Sequence, residues 1–83
     1  MRFIYIIRCK DNSLYTGIAK DLEKRIVEHN HSELGAKYTK NRRPVKLVWS
    51  QETTDRSQAS KIELQIKKMP KPKKEELISN NEK

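Results

Sequence analysis

Two glycines in 83 residues leave no room for a glycine-rich loop that cradles a nucleotide phosphate. The single cysteine, Cys9, excludes an internal disulfide or a zinc knuckle and fits a reducing compartment. The two histidines, His29 and His31, stand two apart on a helical stretch and cannot face one metal ion. No Cys/His metal motif and no Ser/His/Asp set is present. Long apolar runs are also missing. The run from Phe3 to Ile7 is too short for a secretory signal or a membrane span, so the cytoplasm is the expected location.

Charge, by contrast, is plentiful. Charged residues make up 36% of the chain and hydrophobic ones 34%, with a formal net charge of +8. In so small a chain this excess favours an anionic partner, nucleic acid ahead of an anionic membrane surface. The plainer alternative is a basic protein kept soluble by its charge. The length allows one domain, expected at residues 1–79 with a frayed tail at 80–83. A domain of this size buries only about 60% of its unfolded surface, so its core should be small, a single layer of helices on a sheet.

The chain is organised around residues 5–29. Residues 2–9 are rich in β-branched and aromatic side chains and predict a strand. Phe3, Tyr5, Ile7 and Cys9 alternate with Ile4 and Ile6, and apolar residues on both sides suggest a strand covered on both faces. Lys10 to Ser13 is a turn, and Leu14 to Ile18 a second strand. Tyr5 and Tyr15 share a face only if the connecting loop has an odd length or a bulge is present. A three-residue Asp11-Asn12-Ser13 loop would pair Tyr15 with Cys9 and Gly17 with Ile7. Gly17 inside a strand marks the close approach of another group, and beside two tyrosines that group could be a substrate.

Asp21 is the expected N-cap of a helix reaching about Leu34 and ending at Gly35. Leu22 and Ile26 form its narrow apolar stripe, with Arg25 and His29 one turn apart at the rim of the helix–sheet interface. The loop from Gly35 to Pro44 sets Lys37, Lys40, Arg42 and Arg43 around Tyr38, an interleaving that suits a nucleic-acid backbone with a stacked base. A solvated loop explains that segment equally well. Val45, Leu47 and Trp49 alternate inward along a third strand. Thr54 or Asp55 caps the next helix, with Gln58 completing a capping box. Ala59, Ile62, Ile66 and Met69 give that helix one core stripe, with Glu63 beside it. Pro70 stops it, and Pro72 is expected to open a last short helix that holds Leu77 and Ile78 on the core. Lys67, Lys68, Lys71, Lys73 and Lys74 form a second basic cluster. The fold class is therefore α+β: a small three-stranded antiparallel sheet flanked by helices, in the order β-β-α-β-α-α.

Taken one at a time, Tyr5, Tyr15, Arg25, His29 and Glu63 read as core, rim or surface residues. Together they resemble the GIY-YIG nuclease superfamily, and the whole chain resembles its small single-domain bacterial group described as uncharacterised endonucleases. Phe3-Ile4-Tyr5 matches the first motif with phenylalanine in place of glycine. Tyr15-Thr16-Gly17 matches the second with threonine in place of isoleucine. Tyr5 and Tyr15 are ten residues apart, as the motifs require. The family arginine falls on Arg25, the following histidine on His29 and the metal-binding glutamate on Glu63. The likeness extends through residues 35–39, Arg43-Pro44 and residues 63–67. Ile18 stands where some members have lysine, and Lys74-Glu75 where some have asparagine.

The resemblance implies an endonuclease that hydrolyses DNA phosphodiesters with one Mg²⁺ or Mn²⁺ ion on Glu63. It implies that Arg25 stabilises the transition state and that a tyrosine, Tyr5 before Tyr15, acts as general base. Because a free tyrosine has a pKa near 10, the ion and nearby cations would have to lower it. Tyr15 would position the water or phosphate, and His29 would assist. Lys37, Tyr38, Lys40, Arg42, Arg43, Lys67, Lys71 and Lys74 would hold the backbone, with Gly17 structural. The alternative is a non-catalytic DNA- or RNA-binding module of the same fold. A ribosome-associated protein rests on size and charge alone. A separate protein that supplies targeting is left open.

Overall fold

The computed structural model describes residues 1–31 and 41–81. The order is β1 (Arg2–Arg8), β2 (Leu14–Ala19), α1 (Leu22–His31), β3 (Lys46–Thr53), α2 (Arg56–Lys67) and α3 (Lys71–Asn81). The strands form one antiparallel sheet in the order β2-β1-β3. This is the expected α+β architecture. The last helix continues through Asn80 and Asn81. The segment that carries Lys37, Tyr38 and Lys40, and the predicted end of α1 near Leu34, lie outside the described residues. Among the described residues, no helix is long and apolar enough to cross a membrane.

Helices cover both faces of the sheet, so the single-layer expectation fails and the two-sided pattern of β1 holds. Ile4, Ile6 and Trp49 pack with Ala59, Ile66 and Ile78 under α2 and α3. Tyr5, Ile7, Cys9, Ala19 and Val45 pack under α1, against Leu22, Ile26 and Leu47. The predicted α2 stripe lies on the first core, joined by Ile62, Met69 and Leu77. Pro70 separates the two helices, and its carbonyl accepts the first amides of α3.

Three local devices fix the helix ends. The Asp21 carboxylate accepts the Lys24 amide and caps α1. Asp55 accepts the Gln58 amide, while the Gln58 side chain reaches back to the Thr54 amide. At the far end of α1, Asn30 exchanges two hydrogen bonds with the backbone of Val45, and Arg43 donates to the carbonyls of His29 and Glu28. A cation on the last carbonyls of a helix satisfies orphan acceptors and complements the dipole. The Arg43–Pro44 peptide is cis.

The hairpin register differs from expectation by one pair. Tyr5 faces Gly17 and Ile7 faces Tyr15, because the connection runs from Cys9 to Ser13 and is five residues long. It turns at Asn12, whose φ of 70° is one that asparagine tolerates. The parity survives, so the two tyrosines share a face.

The alternation expected along β3 fails. Ile7 pairs with Leu47 but Ile6 pairs with Trp49, leaving Val48 as an extra residue. Leu47 therefore joins Val45 under α1, while Trp49 turns to the α2–α3 side.

Thr16 is buried on β2 opposite Ile6, with no hydrogen-bond partner for its hydroxyl among the described residues. An orphaned buried hydroxyl costs about 1–3 kcal/mol. Thr16→Val, of the same shape, should raise the unfolding free energy by about 1 kcal/mol in urea denaturation. An equal or lower value would show that the hydroxyl is satisfied.

Candidate functional site

Gly17 explains its own identity. A Cβ built there would overlap the Tyr5 hydroxyl and lie 2.6 Å from Tyr5 Cζ. The group whose approach demands glycine is the Tyr5 phenol itself, not a substrate. Tyr5 thus lies across the edge strand and reaches α1, where Oη meets His29 Nε2 at 2.8 Å. The Arg25 guanidinium lies close enough to the Tyr5 hydroxyl to act on its ionisation. With the imidazole neutral, one of Oη and Nε2 donates and the other accepts, so each satisfies the other. The His29 ring meets both tyrosines edge-on, with centroids 5.8 Å from Tyr5 and 5.4 Å from Tyr15.

His29 is not at the rim. It is fully buried, and Tyr5 is 1% exposed. Burial with Arg25 nearby drives the His29 pKa down to about 4, so the imidazole is neutral near pH 7. Burial likewise raises the Tyr5 pKa, outweighing the Arg25 cation. In the protein alone, the lowering that base catalysis would need does not occur. Arg25 itself does sit at the rim, paired with Glu28 at 3.0 Å.

Across β2 from this pair, α2 supplies Glu63. Tyr15, Gly17, Ile18, Arg2, Arg56, Ser60 and Glu63 line one largely polar cleft of about 470 Å³. Glu63 is half-buried and pairs with Lys67 at 3.5 Å. Among the described residues, no group of three or more His, Cys, Asp and Glu could encircle a metal. A lone carboxylate on a polar cleft fits a hard cation that keeps most of its waters.

The remaining predicted residues fall into separate places. Arg42, Lys71 and Lys74 gather at the β1–β2 turn. Arg42 pairs with Asp11 at 3.0 Å, Lys71 donates to the Asn12 carbonyl at 2.7 Å, and Lys71 and Lys74 line a hollow with Asp11, Ser13 and Leu14. Arg43 is engaged with the end of α1. Glu75 grips Arg8 in a two-pronged pair at 2.6 and 2.8 Å. Sequence reasoning missed Arg2, Arg56 and Ser60. The signal was available for two of them: Arg56, Ser60 and Glu63 fall at i, i+4 and i+7 on one helical stripe.

The model of the GIY-YIG catalytic domain matches residues 1–76. The chain belongs to the GIY-YIG family. It is 56% identical over 77 residues to a UPF0213 protein of Staphylococcus saprophyticus, covering 93% of each chain. It is 48% identical over 81 residues to a UPF0213 protein of Desulfotalea psychrophila, covering 98% of this chain and 74% of that one. A solution NMR structure of a UPF0213 protein from Bacillus halodurans is similar at 40% identity and a TM-score of 0.61, covering 95% of this chain and 84% of that one. The strands carrying the two motifs are the central β1 and the edge β2 of this GIY-YIG domain.

Two predictions follow from the packing of Tyr5. Gly17→Ala should destabilise the protein by about 1–3 kcal/mol through overpacking, and by less in a Tyr5→Leu background. Equal losses in both backgrounds would separate the glycine from the phenol. The second concerns pH. The unfolded chain binds a proton at His29 near pH 6.5, the folded protein only near 4. This contribution to stability is full above pH 6.5 and is lost as pH falls towards 4, by about 2 kcal/mol between pH 7 and 5. Urea titrations should show this slope in the wild type and a flatter one in His29→Gln.

Proposed function

We propose that this GIY-YIG domain is a metal-dependent endonuclease that hydrolyses phosphodiester bonds of DNA. The observation that carries the reading is the shared cleft. Glu63, Tyr15 and Gly17 line it together, and the Tyr5–His29–Arg25 set lies directly behind Gly17. Three of these residues line the polar cleft and three lie behind it, drawn from four elements of a protein of net charge +8.

Glu63 would hold one divalent ion, Mg²⁺ or Mn²⁺. Bound there, the ion would supply Lewis-acid stabilisation of the charge that grows on the phosphate oxygens. Arg25, half-buried beside Tyr5, adds a fixed cation for the same charge. Tyr5 Oη is the general base and Tyr15, open to the cleft, orients the water. Burial keeps the proton on Tyr5 and off His29 until substrate arrives. A phosphate bound in the cleft in front of the pair brings negative charge, which favours an imidazolium able to take the Tyr5 proton. Base activation is thereby coupled to occupancy.

The second reading is a DNA- or RNA-binding module. It is favoured by the Lys67 partner of Glu63 and the raised Tyr5 pKa, both of which suit a site that does not turn over.

Incubation with labelled duplex, single-stranded and branched DNA, in Mg²⁺, Mn²⁺ or EDTA, decides between them. Cutting should require the metal. Glu63→Gln should lower it about 10²–10³-fold while binding survives, and Tyr5→Phe about 10²–10⁴-fold. Tight, salt-sensitive binding without cutting in any metal would establish the module instead.

A further inference from the structure

We propose that Arg2 and Arg56 form a second phosphate site in the same cleft, holding a DNA backbone phosphate that flanks the one at Glu63. The identity of the anion rests on the nucleic-acid reading above; the existence of the site rests on how the arginines are partnered.

The chain has six arginines. Arg8 is gripped by Glu75, Arg25 by Glu28 and Arg42 by Asp11, and Arg43 is bound to the last carbonyls of α1. Arg2 and Arg56 differ. Both line the cleft, and neither guanidinium has a hydrogen bond or ion pair among the described residues. The cleft carboxylate, Glu63, pairs with Lys67 instead. The cleft therefore presents two planar cationic forks, with the Ser60 hydroxyl beside them, and no anion is paired to either fork among the described residues. Guanidinium forks match phosphate oxygens in geometry and charge. The N-terminus of α2 is not itself the anion site, since it is already capped by Asp55, whose carboxylate accepts the Gln58 amide.

Spacing separates this site from the one at Glu63. Seven residues at 1.5 Å each place Arg56 about 10 Å from Glu63 along the α2 axis. That is beyond the span of a single phosphate. DNA offers one phosphate per strand about every 3.4 Å of helix axis, so a neighbouring linkage meets the arginines while another sits at Glu63. The cleft then reads at least two points of the backbone, which sets the register of the strand without base contacts.

The test is binding in EDTA, which needs no cleavage. The probe is a DNA duplex carrying one neutral methylphosphonate linkage, moved a position at a time. For the wild type, the neutral linkage should weaken binding at a flanking position. For the Arg2→Gln/Arg56→Gln protein the same linkage should cause no further loss there, and the slope of log K against log salt should fall by about 0.9. Where cutting occurs, KM should rise with kcat held, as expected for a contact kept from ground state to transition state. Both side chains lack partners, so the melting temperature should not move. An unchanged salt slope, or equal weakening of both proteins by every neutral linkage, overturns the site. A wild-type protein that never cuts but shows the expected slope change counts against the nuclease reading alone. Saturable competition by inorganic phosphate at low millimolar concentration, with no preference for DNA, would assign the arginines to a free anion and overturn the DNA site.

Discussion

The phenol of Tyr5, laid over the bare backbone of Gly17 and hydrogen-bonded to His29, is the contact on which the rest of the site depends. It ties the central strand, an edge strand and α1 at one point. The α1 face of the sheet is thinly apolar, with Leu22 and Ile26 as the helix's main contributions. His29 completes it, and an imidazole can be buried there only because a partner meets its nitrogen. The pair is therefore core and chemistry at once. Burial makes the imidazole neutral and the phenol reluctant to ionise, so the same packing that stabilises the fold holds the proton still.

Much of this was legible in the sequence because it rests on short-range rules. Alternation in β1, the caps at Asp21 and Asp55, the α2 stripe and the order of elements are local and proved sound. The shared face of the tyrosines followed from parity. The exact pairing did not, because a five-residue connection and a three-residue one have the same parity and Asn12 supports either. The burial of His29 was hidden by the narrow stripe of α1, where position alone suggests a rim. The fate of Arg43 was hidden too, since its role depends on a helix end that approaches from elsewhere in the chain. Arg2 and Arg56 were overlooked because neither belongs to a motif, and only the folded cleft sets them beside Glu63.

The distribution of ion pairs gives the molecule two kinds of positive charge. Arg8, Arg42 and Arg43 fasten one part of the chain to another. They contribute to the long-range field but are not free to turn towards a ligand without loosening the fold. The cleft arginines, with Lys61 on α2 and Lys74 on α3, carry no such duty. A net charge of +8 therefore overstates how many cations can meet an anion directly, and it concentrates them on α2, α3 and the opening of the cleft.

The extra residue in β3 has a consequence for how the chain can vary. Residues on either side of Val48 serve different cores: Val45 and Leu47 belong to α1, Trp49 to α2 and α3. β3 is in effect two half-strands of opposite allegiance, spliced at one position. Loss of that one residue would restore simple alternation and turn the first half over. Val45 would leave Asn30, and the helix that carries Arg25 and His29 would lose its anchor to the sheet. The length of this strand, more than the identity of its side chains, keeps the two faces of the molecule in step.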